Sequence, residues 1–201
     1  MKLWPQKKWK QVLLVLFVFF LAVVVVLAIV GTYVSSAVNK DVVSGIEVVN
    51  PNGSKTALVV YQTGLTSFSK DSSYAFANGL GESGWRVEIT TASSQAPSNL
   101  SKYGLLALGF PTYGSSPGTA IVRYVDRVGD LHRINTVIIA CAGFDAGKSV
   151  ATMTQNVHAT NGTVQKSLAL VSKSTWFGIA PSEGRGSPAD TARQAGTQIR
   201  P

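Results

Sequence analysis

Three short stretches of this chain combine glycine, serine and threonine in a way that suits anion binding. They are Gln62-Thr63-Gly64-Leu65-Thr66-Ser67-Phe68-Ser69, Pro111-Thr112-Tyr113-Gly114-Ser115-Ser116-Pro117-Gly118 and Ala142-Gly143-Phe144-Asp145-Ala146-Gly147-Lys148. Small residues let backbone N–H groups close on an anion, hydroxyls add donors, and a following helix N-terminus adds a favourable dipole. The first stretch enters a helix and reads as the natural phosphate cradle. The other two each offer an aromatic, Tyr113 and Phe144, to flank a planar ring. Taken singly, each loop reads as a tight strand-to-helix turn. Three of them on one sheet edge point to a ligand.

Other candidates are weaker. Ala142-x-x-x-x-Gly147-Lys148-Ser149 fits a relaxed P-loop, with alanine where the stricter pattern has glycine. A P-loop ATPase also needs a Mg²⁺-holding Asp at the end of another apolar strand. The runs LLALGF and SLALVSK end without one. His132 and His158 have no partner motif. Cys141 closes an apolar run and reads as a core thiol, with a redox thiol as the alternative. Asp145 reads as a turn or N-cap residue. A single cysteine excludes a disulfide scaffold and a cysteine-rich metal fold.

The elements that position these loops alternate. Continuous apolar runs at Thr56–Tyr61 (TALVVY), Leu105–Phe110 (LLALGF) and Thr136–Cys141 (TVIIAC) predict strands buried on both faces. Arg86–Thr91 (RVEITT) alternates like an edge strand, and Val164–Val171 is the last strand. Helical patterns fall at Ser69–Glu82, Thr119–Val128 and Ser149–Ala159. Residues 92–103 hold at most one helical turn. Ser187-Pro188 is an N-cap with proline at the first helical position, opening a final helix to about Gln198. Strands alternating with helices imply right-handed crossovers and a parallel sheet covered on both faces. Ligands in such sheets bind beyond the carboxyl ends of the strands, where strand order reverses.

Composition separates this domain from what precedes it. The 201 residues are 45% hydrophobic and 14% charged, with a net charge of +8. Residues 12–34 hold most of the excess: Val12 to Val30 is an unbroken apolar run, long enough as a helix to cross the hydrocarbon core. In lipid the backbone must satisfy its own hydrogen bonds, so the run is a helix despite its valines. A cleaved signal peptide is the rival, with Ser35-Ser36-Ala37 as its site, but the run exceeds the usual core of about 7–15 residues. Lys2, Lys7, Lys8 and Lys10, with Trp4 and Trp9, form a basic flank over residues 1–11 that places the N-terminus in the cytoplasm and the domain outside. Without those four lysines the net charge is +4, spread without basic runs, which gives no support for nucleic-acid binding. Residues 35–55 read as a linker and 56–201 as one domain.

The loops and their flanking elements resemble those of flavodoxins. ALVVYQTGLTSFSKDSSYAFANGL is similar to the flavodoxin first strand, phosphate loop and helix. LLALGFPTYGSSPGTAIVRYVDRV is similar to the segment with a G-x-PTYG-type loop, and TVIIACAGFDAG to the next strand and flavin-edge loop. The resemblance covers roughly residues 56–198. It implies a doubly wound five-stranded parallel sheet of order 2-1-3-4-5, here behind one transmembrane helix. It implies FMN as cofactor and one- or two-electron transfer. By position, Thr63, Gly64, Thr66, Ser67 and Ser69 would hold the FMN phosphate. Pro111, Thr112, Tyr113 and Gly114 would line one side of the ring, and Ala142, Gly143 and Phe144 the other. The chain departs from the family in its phosphate loop, which keeps hydroxyls but not the T-x-T-G-x-T spacing, and in its net +4 where flavodoxin carriers are acidic.

Three functions remain open at this stage. One is a membrane-anchored FMN protein in electron transfer, serving a membrane redox partner. Another is an FMN-dependent reductase of quinone or a small acceptor. The last is a flavin-free flavodoxin-like accessory subunit of a membrane assembly.

Overall fold

The computed structural model describes residues 8–172 and 187–201. Lys2, Trp4 and Lys7 of the basic flank lie outside them. The chain divides into two compact units, Met1–Lys40 and Asp41–Pro201.

The first unit is α1 (Lys8–Asn39), 32 residues with no acidic residue in its first turn and no basic one in its last. It is the one helix among the described residues long and apolar enough to cross a membrane, over Lys8–Tyr33. Its apolar side chains, Phe17, Phe19, Phe20 and Leu27 among them, are exposed.

The second unit is a three-layer α/β domain. Its elements are β1 (Glu47–Val49), β2 (Lys55–Tyr61), α2 (Phe68–Glu82), β3 (Trp85–Thr91), β4 (Leu105–Tyr113), β5 (Ser116–Pro117), α3 (Thr119–Val128), β6 (Asn135–Ala142), α4 (Gly147–Ala159), β7 (Thr163–Val171) and α5 (Pro188–Thr197). The sheet order is β1-β3-β2-β4-β6-β7. Pairing is parallel from β3 through β7, so the parallel core has order 2-1-3-4-5. β1 and β5 are antiparallel additions, on β3 and β4 respectively.

Two hydrophobic clusters fill the two faces. One joins Leu58, Leu106, Leu108, Phe110 and Ile138 to Ile121 and Tyr124 of α3 and Met153 of α4. The other joins Val59, Val87, Ile89 and Ile139 to Phe76 and Leu80 of α2 and Ala192 and Ala195 of α5. Strands β2, β4 and β6 contribute to both, hence their unbroken apolar runs. α2 and α5 approach closely: a Cβ on Gly79 would stand 2.0 Å from the Arg193 carbonyl oxygen. α5 begins with a full capping box between Ser187 and Asp190, with proline in its first turn.

Two expectations need correcting. Arg86–Thr91 lies inside the sheet, because β1 pairs with it from Glu47↔Ile89 to Val49↔Val87. Residues 35–55 are not a plain linker, since α1 runs to Asn39 and β1 lies among them. Beyond α1 they are also tied down by side chains. Ser44 and Thr91 exchange backbone–side-chain bonds in both directions, and Asp41 accepts from Ser94. Three β-residues among Asn, Gly and Pro carry too little periodicity to announce a strand.

Candidate functional site

The strand order reverses between β2 and β4, and a cleft opens there, at the carboxyl ends of the parallel strands. Its volume is about 270 Å³. The loop after β2 contributes Gly64, Leu65 and Thr66, and the start of α2 adds Phe68 and Ser69. The end of β4 contributes Pro111, Thr112 and Tyr113, and the end of β6 Cys141, Ala142 and Gly143. Ser172 follows β7.

The first loop is held against the β4 loop. The Leu65 N–H donates to the Tyr113 hydroxyl at 3.0 Å. Gly64 eases this approach, because a Cβ there would stand tightly at 3.2 Å from Tyr113 Oη and 3.3 Å from Pro111 Cβ. Burial pushes the Tyr113 hydroxyl above its ordinary pKa, partly offset by the Leu65 N–H. The phenol is therefore neutral at pH 7, leaving its own proton to donate. Two hydroxyls of the cleft wall, Ser69 Oγ and Thr112 Oγ1, are buried without a hydrogen-bond partner. Ser69 is only 2% exposed.

Gln62 sets the neighbouring helix. Its buried Oε1 accepts from the N–H groups of Ala120 (3.0 Å) and Ile121 (3.1 Å), capping α3 where Gly118 leaves the backbone bare. A Cβ at Gly118 would stand 2.2 Å from that oxygen.

Thr63, Ser67, Gly114 and Phe144 do not line the cleft. Ser67 is exposed, and its Oγ–H donates to Asp71 Oδ2 at 2.6 Å, placing a carboxylate in the first turn of α2. Gly114 and Ser115 form the two-residue turn of the β4–β5 hairpin, with φ of +54° and +68°. That turn carries Gly114 to an exposed tip. Phe144 is 92% exposed. The next residue, Asp145, accepts the Gly147 N–H at 2.9 Å and so starts α4 as a turn residue. In the same stretch Ser149 is fully buried and Lys148 is exposed.

These features match a known architecture. Solved structures similar to this chain include a flavodoxin from the domain Archaea, at 14% identity and TM-score 0.56, covering 72% of this chain and 95% of that one. The two-electron-reduced flavodoxin of Megasphaera elsdenii gives 14% identity and TM-score 0.55 over 71% of this chain and 99% of its own.

The domain has the flavodoxin fold.

The rubredoxin oxygen:oxidoreductase of Desulfovibrio gigas is also similar, at 11% identity and TM-score 0.53, over 74% of this chain but only 35% of that enzyme. No family model and no curated protein matches the sequence.

Within this flavodoxin fold, sequence reasoning missed Leu65, Phe68, Cys141 and Ser172 as cleft residues. The signal for Cys141 was its place at the end of a buried strand beneath a glycine loop. Burial pushes its thiol up to about 11, and Ser72 beside it lowers the value only in part. His132 is exposed at a surface turn, with Nδ1 3.4 Å from the Asp130 carboxylate. Among the described residues no cluster of three His, Cys, Asp or Glu side chains is placed to hold a metal.

Proposed function

We propose that this chain is a membrane-anchored flavodoxin-like protein whose carboxyl-edge cleft binds FMN, and that it takes part in electron transfer. One observation carries the reading: Ser69 Oγ and Thr112 Oγ1 are buried in the cleft wall with no partner. An unsatisfied buried hydroxyl costs about 1–3 kcal/mol, and a polar ligand relieves that cost. Bound FMN supplies reversible one- or two-electron transfer. Ser69 and Thr112 would donate to it, with Thr66 offering a further hydroxyl from the first loop. Gly64 permits the close approach of that loop. Pro111 and Tyr113 on one side and Ala142 and Gly143 on the other would flank the ring, and Phe68 would shield it from water. The net +4 beyond the lysine flank suits a membrane-resident or acidic partner better than free diffusion between basic ones. The lysine flank supports a cytoplasmic N-terminus with the domain on the opposite side. Titrating FMN with the purified full chain in detergent tests the reading. Quenched flavin fluorescence with saturation supports it, and unchanged fluorescence overturns it.

A flavin-free accessory module is the second reading. The Leu65 N–H is taken by Tyr113, and Asp71 sets a negative charge at the helix N-terminus that would face a phosphate. The same titration decides between them. If FMN binds, NAD(P)H oxidation with a quinone acceptor separates a reductase from a carrier.

A further inference from the structure

A second cavity, of about 260 Å³, opens at the end of β3 and shares no residue with the cleft. It is lined by Ser93 and Ser94 of the loop, by Arg123, Tyr124 and Arg127 of α3, and by Asp41. We propose that this cavity binds a phosphate group, free or as a lipid headgroup.

Three independent features support the assignment. Ser93 lines the cavity, is only 4% exposed, and its Oγ has no partner. Arg123 and Arg127 stand one helical turn apart on the same face. Arg127 Nη2 donates to the carbonyls of Ser93 (3.0 Å) and Ala96 (2.8 Å), which fixes the guanidinium in the wall of the cavity that Ser93 also lines. Its guanidinium carbon lies 5.5 Å from the centroid of the Tyr124 ring. Finally, the corner already holds an anionic oxygen: Asp41 Oδ2 accepts from Ser94 Oγ at 2.9 Å and from the Ser94 N–H at 3.4 Å. The Arg127 guanidinium and the Ser93 hydroxyl form a donor set suited to phosphate oxygens, and Arg123 adds a second positive charge to the cavity wall. Asp41 then acts as a built-in competitor, whose carboxylate repels an arriving phosphate.

The test uses the full chain in nanodiscs of neutral phosphatidylcholine, with inorganic phosphate as probe and the melting midpoint as readout. Bound phosphate raises the midpoint with the logarithm of its concentration. Arg123→Ala and Ser93→Ala should each require roughly tenfold more phosphate for the same rise. Asp41→Asn should require several-fold less, a gain that misfolding cannot mimic. Nanodiscs containing phosphatidylglycerol identify the source. A rise without added phosphate, lost in both Ser93→Ala and Arg123→Ala, assigns the site to a headgroup. A response to inorganic phosphate alone assigns it to a free phosphate. Midpoints indifferent to both probes, or identical responses in wild type and variants, overturn the proposal.

Discussion

Single side chains divide here between those whose role follows from their type and those whose role follows from packing. Pro-Thr-Tyr-Gly between an apolar run and a helical pattern singled out Thr112 and Tyr113, and both line the cleft. Phe144 was read as a ring partner from its place in a glycine-bearing loop and from the flavodoxin resemblance; it is 92% exposed and off the cleft lining. Only the Asp145 turn that starts α4 decides which way that loop faces, and an Asx turn is one of several uses of a loop aspartate. Cys141 was legible as a core thiol, because it closes a buried strand. Its thiol is pushed up to about 11 by burial, and thiolate is the reactive form. Iodoacetamide should therefore leave Cys141 unmodified at pH 7 in the native chain and label it once the chain is unfolded. Rapid native labelling, followed by mass spectrometry, would contradict the burial.

At the scale of elements, the parallel core was legible because its strands obey simple periodicity and its helices keep their apolar faces. β1 was not, since three residues carry no pattern, and its absence from the sequence reading turned β3 into a false edge. Gln62 shows another limit: nothing in a glutamine after a strand announces a helix cap nearly sixty residues away. Gln62→Ala should leave the Ala120 and Ile121 N–H groups buried and unpaired. The expected cost is about 1–3 kcal/mol, read as a lower urea midpoint with unchanged slope. Glu88 on β3 gives a pH prediction. Burial pushes its carboxyl up, but the Tyr103 hydroxyl at 2.6 Å and the Lys102 ammonium at 2.9 Å, with Arg86 nearby, hold it below its ordinary value. A depressed native pKa means the stabilisation is complete above the ordinary carboxyl range and is lost as pH falls through the native value. Glu88→Gln should lower stability at pH 7 and flatten its decline between about pH 5 and pH 3, as followed by chemical denaturation. A decline as steep as wild type would remove Glu88 from the account.

The whole molecule joins an apolar helix to an α/β domain, and its overall composition is the average of the two. The sequence suggests a division after residue 34 because no charge interrupts Val12–Val30, whereas the helix continues to Asn39 and the compact units divide after Lys40. A chain anchored by this helix should stay in the membrane pellet after carbonate extraction, and release into the supernatant would contradict anchoring. Function is less legible than fold at this scale. The flavodoxin fold is set by two packed faces and a parallel sheet, whereas the proposed FMN binding depends on a few hydroxyls whose pairing no sequence pattern reveals. Those hydroxyls supply the most direct measurement: FMN affinity of the full chain compared with a Ser69→Ala/Thr112→Val variant, alongside the melting midpoint of each without FMN. Both lost hydroxyls are unpaired, so the account predicts a midpoint unchanged or raised, with FMN bound at least roughly tenfold more weakly by the variant. Equal FMN affinity in the two proteins, or none in either, would contradict it.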